Sequence, residues 1–309
     1  MYGGKKMYKK IFIIVTVLCF SVLLNAQGLA ERLESLSKEN ARGYMSPFAD
    51  AVGAGLNSGL YNSAKTLKPI IGFNVKVNTV MLSIPSSDKT YIAKSPDPNI
   101  WADNVETSTI FGKRERKKLT YLGGNTNLDI PLYGGLDMNN FYLPSVSLSY
   151  GLPMGIELMA RYMPEIEPGK AIGKISFWGA GVKYDIDQHI PVPIPFLNIA
   201  AQSVYQQMTI GSVADMSTIA FNLLASANFP FIGFYGGIGY ESSTLDVGYT
   251  FKSKDENAEP TRVNLKIDSE NDMKMTVGVK LSPLPLIDVF ADYSVAKFNS
   301  LNVGVGVGL

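Results

Sequence analysis

The stretch Phe73-Asn74-Val75-Lys76-Val77-Asn78 places apolar residues at odd positions and polar ones at even positions. Successive side chains of a strand point to opposite faces, so this period of two describes a strand with one greasy and one wet face. The same alternation recurs downstream. Val146, Leu148 and Tyr150 oppose Ser145, Ser147 and Ser149, while Ile219, Phe221, Leu223, Ala225 and Ala227 oppose Asn222, Ser226 and Asn228. The tail sets Leu301, Val303, Val305, Val307 and Leu309 against Asn302, Gly304, Gly306 and Gly308. No helical period interrupts the pattern after residue 144.

The connections are patterned too. Gly151-Leu152-Pro153-Met154, Ile194-Pro195-Phe196, Phe229-Pro230-Phe231 and Ser282-Pro283-Leu284-Pro285 read as tight apolar turns, each followed by a strand. Between them lie wetter connections at 164–173, 211–215, 252–260 and 297–300. Short turns at one end and polar loops at the other describe an up-and-down antiparallel sheet seen from its two rims.

Charged residues make up 18% of the chain, below the ~25% usual in soluble domains. The runs 196–210 and 231–251 are long and poor in charge, and crossing a bilayer takes about 9–11 strand residues with apolar side chains outward. The reading is therefore all-β, a transmembrane antiparallel up-and-down β-barrel, closed because lipid offers no partner to a sheet edge. Ten strands are directly legible. A further hairpin around 90–93 and 118–122 makes twelve, the number expected here, within a range of ten to fourteen. Tyr150, Tyr162, Tyr184, Phe229, Phe231 and Tyr293 lie near strand ends; as a set they suit interfacial girdles, and singly each reads equally well as a core aromatic.

Composition excludes several functions. The 309 residues carry 28 Lys plus Arg against 27 Asp plus Glu, without the basic excess that phosphate-neutralising nucleic-acid binders need. One His, His189, and one Cys, Cys19, cannot build a zinc site or a repertoire of nucleophile–base pairs. No metal or cofactor is expected, and the chain does not read as an enzyme. An outer-membrane lipid hydrolase would have to use His189 as its base, yet Asp187-Gln188-His189-Ile190-Pro191 reads as a turn.

Lys5, Lys6, Lys9 and Lys10 precede an apolar run at 11–24 and a small residue at Ala26, the layout of a secretory signal peptide cut near Ala26. Residues 27–71 then form a helical plug segment ahead of a barrel at 72–309, in which 83–143 is a long extracellular or lumenal excursion. Leu29, Leu33 and Leu36 keep helical spacing, and Ser46-Pro47 reads as an N-cap followed by a first-turn proline. Ala51-Val52-Gly53-Ala54-Gly55-Leu56 is too glycine-rich for a free helix and must be held by something else.

Parity places Glu157 and Arg161 on the lumen face, and likewise Lys183 with Asp185 and Asp288 with Asp292. Unpaired charges in a narrow barrel are costly, so a salt-bridged network is expected. It reads either as structural filling or as a translocation path. The run Lys113-Arg114-Glu115-Arg116-Lys117-Lys118 reads as a solvated loop or as a grip on lipopolysaccharide phosphates. Pro47, Gly53, Gly55, Asn57 and Gly59 mark the plug.

Several motifs resemble those of a family of uncharacterised Gram-negative outer-membrane barrels. They are Gly43-Tyr44 with Pro47-Phe48-Ala49-Asp50, Leu56-Asn57-Ser58-Gly59-Leu60-Tyr61, the run Gly155-Ile156-Glu157-Leu158-Met159-Ala160-Arg161-Tyr162, and Phe177-Trp178-Gly179-Ala180-Gly181. The layout is also similar to the long-chain fatty-acid transport porins, whose N-terminal segment plugs the barrel. The resemblance implies an outer-membrane location and a barrel fold, and it implies no substrate. Membrane lipid and lipopolysaccharide are the expected partners, with a hydrophobic small molecule as a candidate ligand. From the alternation and the plug-like N-terminus, the expected function is passive transport of a small hydrophobic or amphipathic molecule that enters by the 83–143 loop, meets the lumen charges and passes when the plug around Gly53 to Gly59 shifts. The alternative is a non-transporting scaffold in an outer-membrane or secretion assembly.

Overall fold

The computed structural model describes residues 29–167, 173–190, 196–251 and 260–308; the signal peptide and its cleavage site lie outside them. Two helices come first, α1 (Leu29–Glu34) and α2 (Lys38–Leu56). Strands β1 (Phe73–Ser83), β2 (Thr90–Ala93), β3 (Val105–Ser108), β4 (Lys117–Leu119) and β5 (Ile130–Leu132) follow. The rest is β6 (Asn140–Leu152), β7 (Ile156–Ile166), β8 (Ile175–Asp185), β9 (Leu197–Ile210), β10 (Ala214–Asn228), β11 (Ile232–Phe251), β12 (Thr261–Asp268), β13 (Met273–Leu284), β14 (Ile287–Val295) and β15 (Ser300–Gly308).

Neighbouring strands run β10-β9-β8-β7-β6-β1-β15-β14-β13-β11, and β11 closes the ring by pairing with β10 over its lower and middle length. β11 pairs with β13 through residues 232–240 and with β12 through residues 244–251. Both partners run antiparallel to it, so β12 and β13 are two pieces of one wall strand interrupted at 269–272. The wall among the described residues thus has ten strands, and the expected twelve is wrong. The extra hairpin segments do fold, but β2 pairs only with β3 and β4 only with β5. At three or four residues each they are too short to cross a bilayer. β7 also continues through Pro164 to Ile166, with an irregular register after Met163 that absorbs the proline.

The turns 153–155, 229–231 and 285–286 lie at one rim, and the 84–139 excursion lies at the other. The burial pattern inverts that of a soluble protein. Val75, Val77, Leu148, Phe221, Leu223, Val303, Val305 and Val307 are exposed, whereas Lys76, Asn78, Ser147, Asn222, Ser226 and Asn302 are buried. An apolar outer face around a polar interior is the solution that a hydrocarbon solvent selects. Tyr150, Tyr162, Tyr184, Phe229, Phe231 and Tyr293 all point outward.

The interior itself is divided. On the inward face of β1, Lys76 and Asn78 near the short-turn half give way to Val80 and Leu82 near the loop half. β10 does the same, from Ser226 and Asn222 to Met216 and Ala214. The apolar half receives α2. Met45, Phe48, Val52 and Leu56 pack with Leu82, Leu143, Phe177, Met208, Leu245 and Leu265, burial worth about 1.5–3 kcal/mol per large side chain. The N-cap is Ser37, which accepts from Asn40 N, and Pro47 sits within the helix. The N-cap reading of Ser46 is therefore incorrect; its hydroxyl donates back to Arg42 O at 2.8 Å. Burial outweighs the ~3 kcal/mol that an interior proline costs. Glycines let the last turns touch the wall, since a Cβ on Gly53 would lie 2.8 Å from Ser243 Cβ and one on Gly55 2.9 Å from Leu82 Cδ1.

Candidate functional site

From Asn57 the chain leaves the helix and descends through the polar half of the lumen to Gly72 at the short-turn rim. Backbone carbonyls in such a segment need donors, because no regular ladder supplies them. The wall supplies cations. Arg161, 1% exposed, donates to Leu56 O at 2.5 Å, to Gln206 Oε1 at 3.1 Å and to Ser145 Oγ at 3.0 Å. Gln206 Nε2 also donates to Leu56 O at 2.7 Å. Lys274 donates to Asn57 O, Lys76 to Leu60 O at 3.3 Å, and Lys183 to Lys65 O at 3.2 Å and Ser63 O at 3.4 Å. Four buried lumen cations thus bind carbonyls of the plug. Arg161 and Gln206 meet the C-terminal end of α2, where the helix dipole favours positive charge.

The carboxylates are held separately. Glu157 pairs with Lys183 at 2.9 Å and accepts from Leu67 N at 3.2 Å, while Glu241 pairs with Lys274 at 3.2 Å. Asp292 accepts from Tyr235 Oη at 2.8 Å and Asn302 Nδ2 at 2.7 Å. Asn78 Nδ2 donates to Asn302 Oδ1 at 2.6 Å, and Ser145 Oγ to Asn78 Oδ1 at 2.8 Å. A continuous polar chain therefore runs from Tyr235 through Asp292, Asn302, Asn78, Ser145 and Arg161 to the end of the helix.

Among the expected lumen charges, Glu157 bonds Lys183, and Arg161 has no carboxylate within ion-pair distance among the described residues. Asp288 lies 4.0 Å from Lys280 and accepts from Ser282 Oγ at 2.5 Å, and Asp185 caps the 187–189 turn by accepting from Asp187 N at 2.9 Å. Both sit toward the short-turn rim, away from Arg161. Lys76, Gln206, Glu241 and Lys274 were not singled out by sequence reasoning. Parity was the available signal: Lys274 alternates with Met273 and Met275, as Lys76 does with Val75 and Val77. In the plug, Asn57 Nδ2 donates to Ser243 Oγ at 3.3 Å, and Gly59 takes φ +67° against Asn78 and Asn302.

At the loop rim the plug is latched. Lys297, in the β14–β15 turn, lies 2.7 Å from Asp50 of α2 and 2.6 Å from Glu270 in the β12–β13 interruption. Burial opposes the Lys297 charge, but the bonds to Asp50 and Glu270 outweigh it and raise its pKa. Glu270 is lowered, first by its hydrogen bond to Lys297. The latch is complete above the ordinary glutamate range and below the ordinary lysine range, and it is lost as pH falls through the depressed Glu270 value. The Tm difference between wild type and Lys297→Met is therefore expected to be largest near neutrality and to shrink on acidification; a difference constant down to strongly acid pH refutes the latch.

The excursion clamps α2 from above. Asn40 Nδ2 donates to Lys94 O and Lys94 N to Asn40 Oδ1, both at 2.8 Å. Arg32 donates to Gly134 O at 2.6 Å and Tyr44 Oη at 3.0 Å, and Phe48, Phe111 and Phe141 cluster with centroids 6.0–6.5 Å apart. The basic run at 113–118 is exposed; within it Lys118 pairs with Asp129 at 2.7 Å and Arg116 lies over Tyr133. His189 shares a 2.7 Å hydrogen bond with Tyr184 Oη at the exposed short-turn rim.

A family model described as a family of unknown function (DUF6588) matches residues 5–309. No curated protein matches. Among solved structures, the translocator domain of the autotransporter NalP from Neisseria meningitidis is 12% identical, covering 88% of this chain and 99% of its own with a TM-score of 0.38. Ail, the attachment invasion locus protein of Yersinia pestis, solved with the heparin analogue sucrose octasulfate, is 9% identical over 78% of this chain and 100% of its own, TM-score 0.27. A loop-deletion form of OmpT, an outer membrane protein of Vibrio cholerae, is 10% identical over 77% and 98%, TM-score 0.27.

Proposed function

The chain belongs to the DUF6588 family of unknown function, and from that premise we propose that it is an outer-membrane barrel of Gram-negative cells, shut by its own N-terminal segment and serving as a scaffold. The single observation that carries this reading is the set of buried cations Arg161, Lys274, Lys76 and Lys183 bound to plug carbonyls from Leu56 to Lys65. A segment fixed at four places along the lumen, clamped above by the excursion, leaves function to the rims. The rim bearing the long excursion faces outward by the asymmetry of loop lengths usual in such barrels, with the basic run 113–118 placed to meet lipopolysaccharide.

The expected result in planar bilayers is that intact protein does not conduct, whereas deletion of residues 27–68 opens steady conductance. Stepwise conductance of the intact protein overturns the sealed-scaffold reading whether or not the deletion variant folds.

A second reading, passive transport of a small hydrophobic or amphipathic molecule as in the long-chain fatty-acid transport porins, is favoured by the bare helix end. Gly53 and Gly55 present no side chain at two positions of the last turns of α2, and Gly59 follows just beyond the helix, so less bulk must pass the wall if the segment shifts. Native mass spectrometry of protein from its own membrane separates the two: a stoichiometric amphiphile supports transport.

A further inference from the structure

Beneath the plug, at the short-turn rim, lies a cavity of about 240 Å³ bounded by the descending segment and the inner faces of β1, β6–β9, β13 and β14. Five of its lining residues are lysines, Lys65, Lys68, Lys76, Lys183 and Lys280, against two carboxylates, Glu157 and Asp288. Each carboxylate already has a cation, Lys183 at 2.9 Å for Glu157 and Lys280 at 4.0 Å for Asp288. Three positive charges are left without a counter-charge among the described lining residues.

Lys76 is the most demanding of them. It is 5% exposed, and its described hydrogen bond is the single 3.3 Å contact to Leu60 O. An ammonium carries three donors and is costly to bury without compensation. Two residues away on the same face, Asn74 lines the cavity with a buried side-chain oxygen that has no partner. The under-bonded ammonium calls for an acceptor that the protein does not supply, and the unpartnered Asn74 oxygen can take a proton from a protonated phosphate oxygen or a bound water.

We propose that this cavity is a binding site for a phosphate group, borne by an anionic phospholipid headgroup or by free phosphate. Lysine ammoniums act as point charges toward phosphate, and here they converge from separate elements: Lys65 and Lys68 from the plug, Lys76 from β1, Lys280 from β13. A tetrahedral phosphate group, with oxygens in several directions, answers that arrangement better than a planar carboxylate does; free phosphate brings about two negative charges and a phosphodiester headgroup brings one. Lys65 and Lys68 are exposed at the mouth, so the site is reachable from the side of the short turns. Because plug and wall both contribute, occupancy also ties the lower end of the plug to the barrel. This site stands independently of whether the lumen conducts.

The test uses full-length protein in detergent micelles titrated with inorganic phosphate by calorimetry. In parallel, it uses nanodiscs of phosphatidylcholine with and without phosphatidylglycerol, with retained lipid read by native mass spectrometry. Lys76→Gln is compared with Lys38→Gln, which removes an exposed lysine at the start of α2 that does not line the cavity, and with Lys280→Gln should Lys76→Gln fail to fold. Saturable phosphate binding weakened about tenfold or more by Lys76→Gln or Lys280→Gln, but not by Lys38→Gln, supports the site and assigns free phosphate. Retention of phosphatidylglycerol alone with the same variant pattern supports it and assigns the headgroup. Absence of both, or equal loss in Lys38→Gln, overturns it.

Discussion

Arg161→Ala is expected to cost about 3–5 kcal/mol of stability, combining a cavity from a large buried side chain with loss of charge-assisted hydrogen bonds worth about 1.5–3 kcal/mol each. The two contributions can be separated. Arg161 is not half of an ion pair; its hydrogen-bond partners are the neutral groups of Leu56, Gln206 and Ser145, its guanidinium lies 5.4 Å over the Phe177 ring, and its Nη2 has no hydrogen-bond partner. The desolvation of the guanidinium is thus incompletely offset, and an apolar side chain of similar volume recovers part of the loss. Arg161→Met is therefore expected to restore roughly half of the stability lost in the alanine variant, by removing the cavity term of ~24 cal/mol per Å³, without restoring the contact to the helix end. Urea unfolding followed by tryptophan fluorescence measures the first quantity, and limited proteolysis between residues 60 and 68 measures the second. Full recovery of both in Arg161→Met would show that packing alone seats the plug.

The outer surface was legible in the sequence because one solvent governs it: every wall strand must show apolar side chains to hydrocarbon, so outward apolar residues recur at every second position in strands such as β1, β6, β10 and β15. The inner surface was only half legible. It faces two environments, a polar descending chain and an apolar helix, so the inward residues of β1 change from Lys76 and Asn78 to Val80 and Leu82. There Val80-Met81-Leu82 reads as an unbroken apolar run with no marked face. The helix suffered from the opposite problem. Pro47 and the glycines argue locally for a boundary or a loop, and only enclosure by the wall reverses that local preference. Strand number went astray because 90–93 and 117–119 have strand chemistry but lack the length to cross a membrane.

Parity also found the lumen charges without their partners. It assigns Arg161 to the interior, but its acceptor Leu56 O is 105 residues away, and no local pattern links the two. Lys76 and Lys274 carried the same signal and attracted no notice, since a lysine between two apolar residues is ordinary on any amphipathic strand. What distinguishes them is the descending chain opposite, whose carbonyls have no ladder of their own.

Gly59 is where backbone and packing demands coincide, and Gly59→Ala is expected to cost about 3 kcal/mol or more. Its φ of +67° lies in the left-handed region, which costs a residue with a Cβ roughly 1–2 kcal/mol. The added Cβ would also stand 2.5 Å from Asn78 Nδ2 and 2.7 Å from Asn302 Oδ1, between the two atoms whose 2.6 Å hydrogen bond links β1 to β15 inside the lumen. Relief requires breaking that link or lifting the plug, an overpacking cost of about 1–3 kcal/mol. Gly124 provides the matching control. It has φ +77° but nothing within 4 Å of an added Cβ, so Gly124→Ala bears the backbone cost alone, about 1–2 kcal/mol. The difference between the two variants isolates the packing of the plug against the polar chain. Equal losses would mean that Gly59 serves only to turn the backbone, and that the Asn78–Asn302 bond yields without cost. A larger loss at Gly59, accompanied by faster cleavage between residues 60 and 68, would show that the chain running from Asp292 to Arg161 and the seating of the plug are one structural unit.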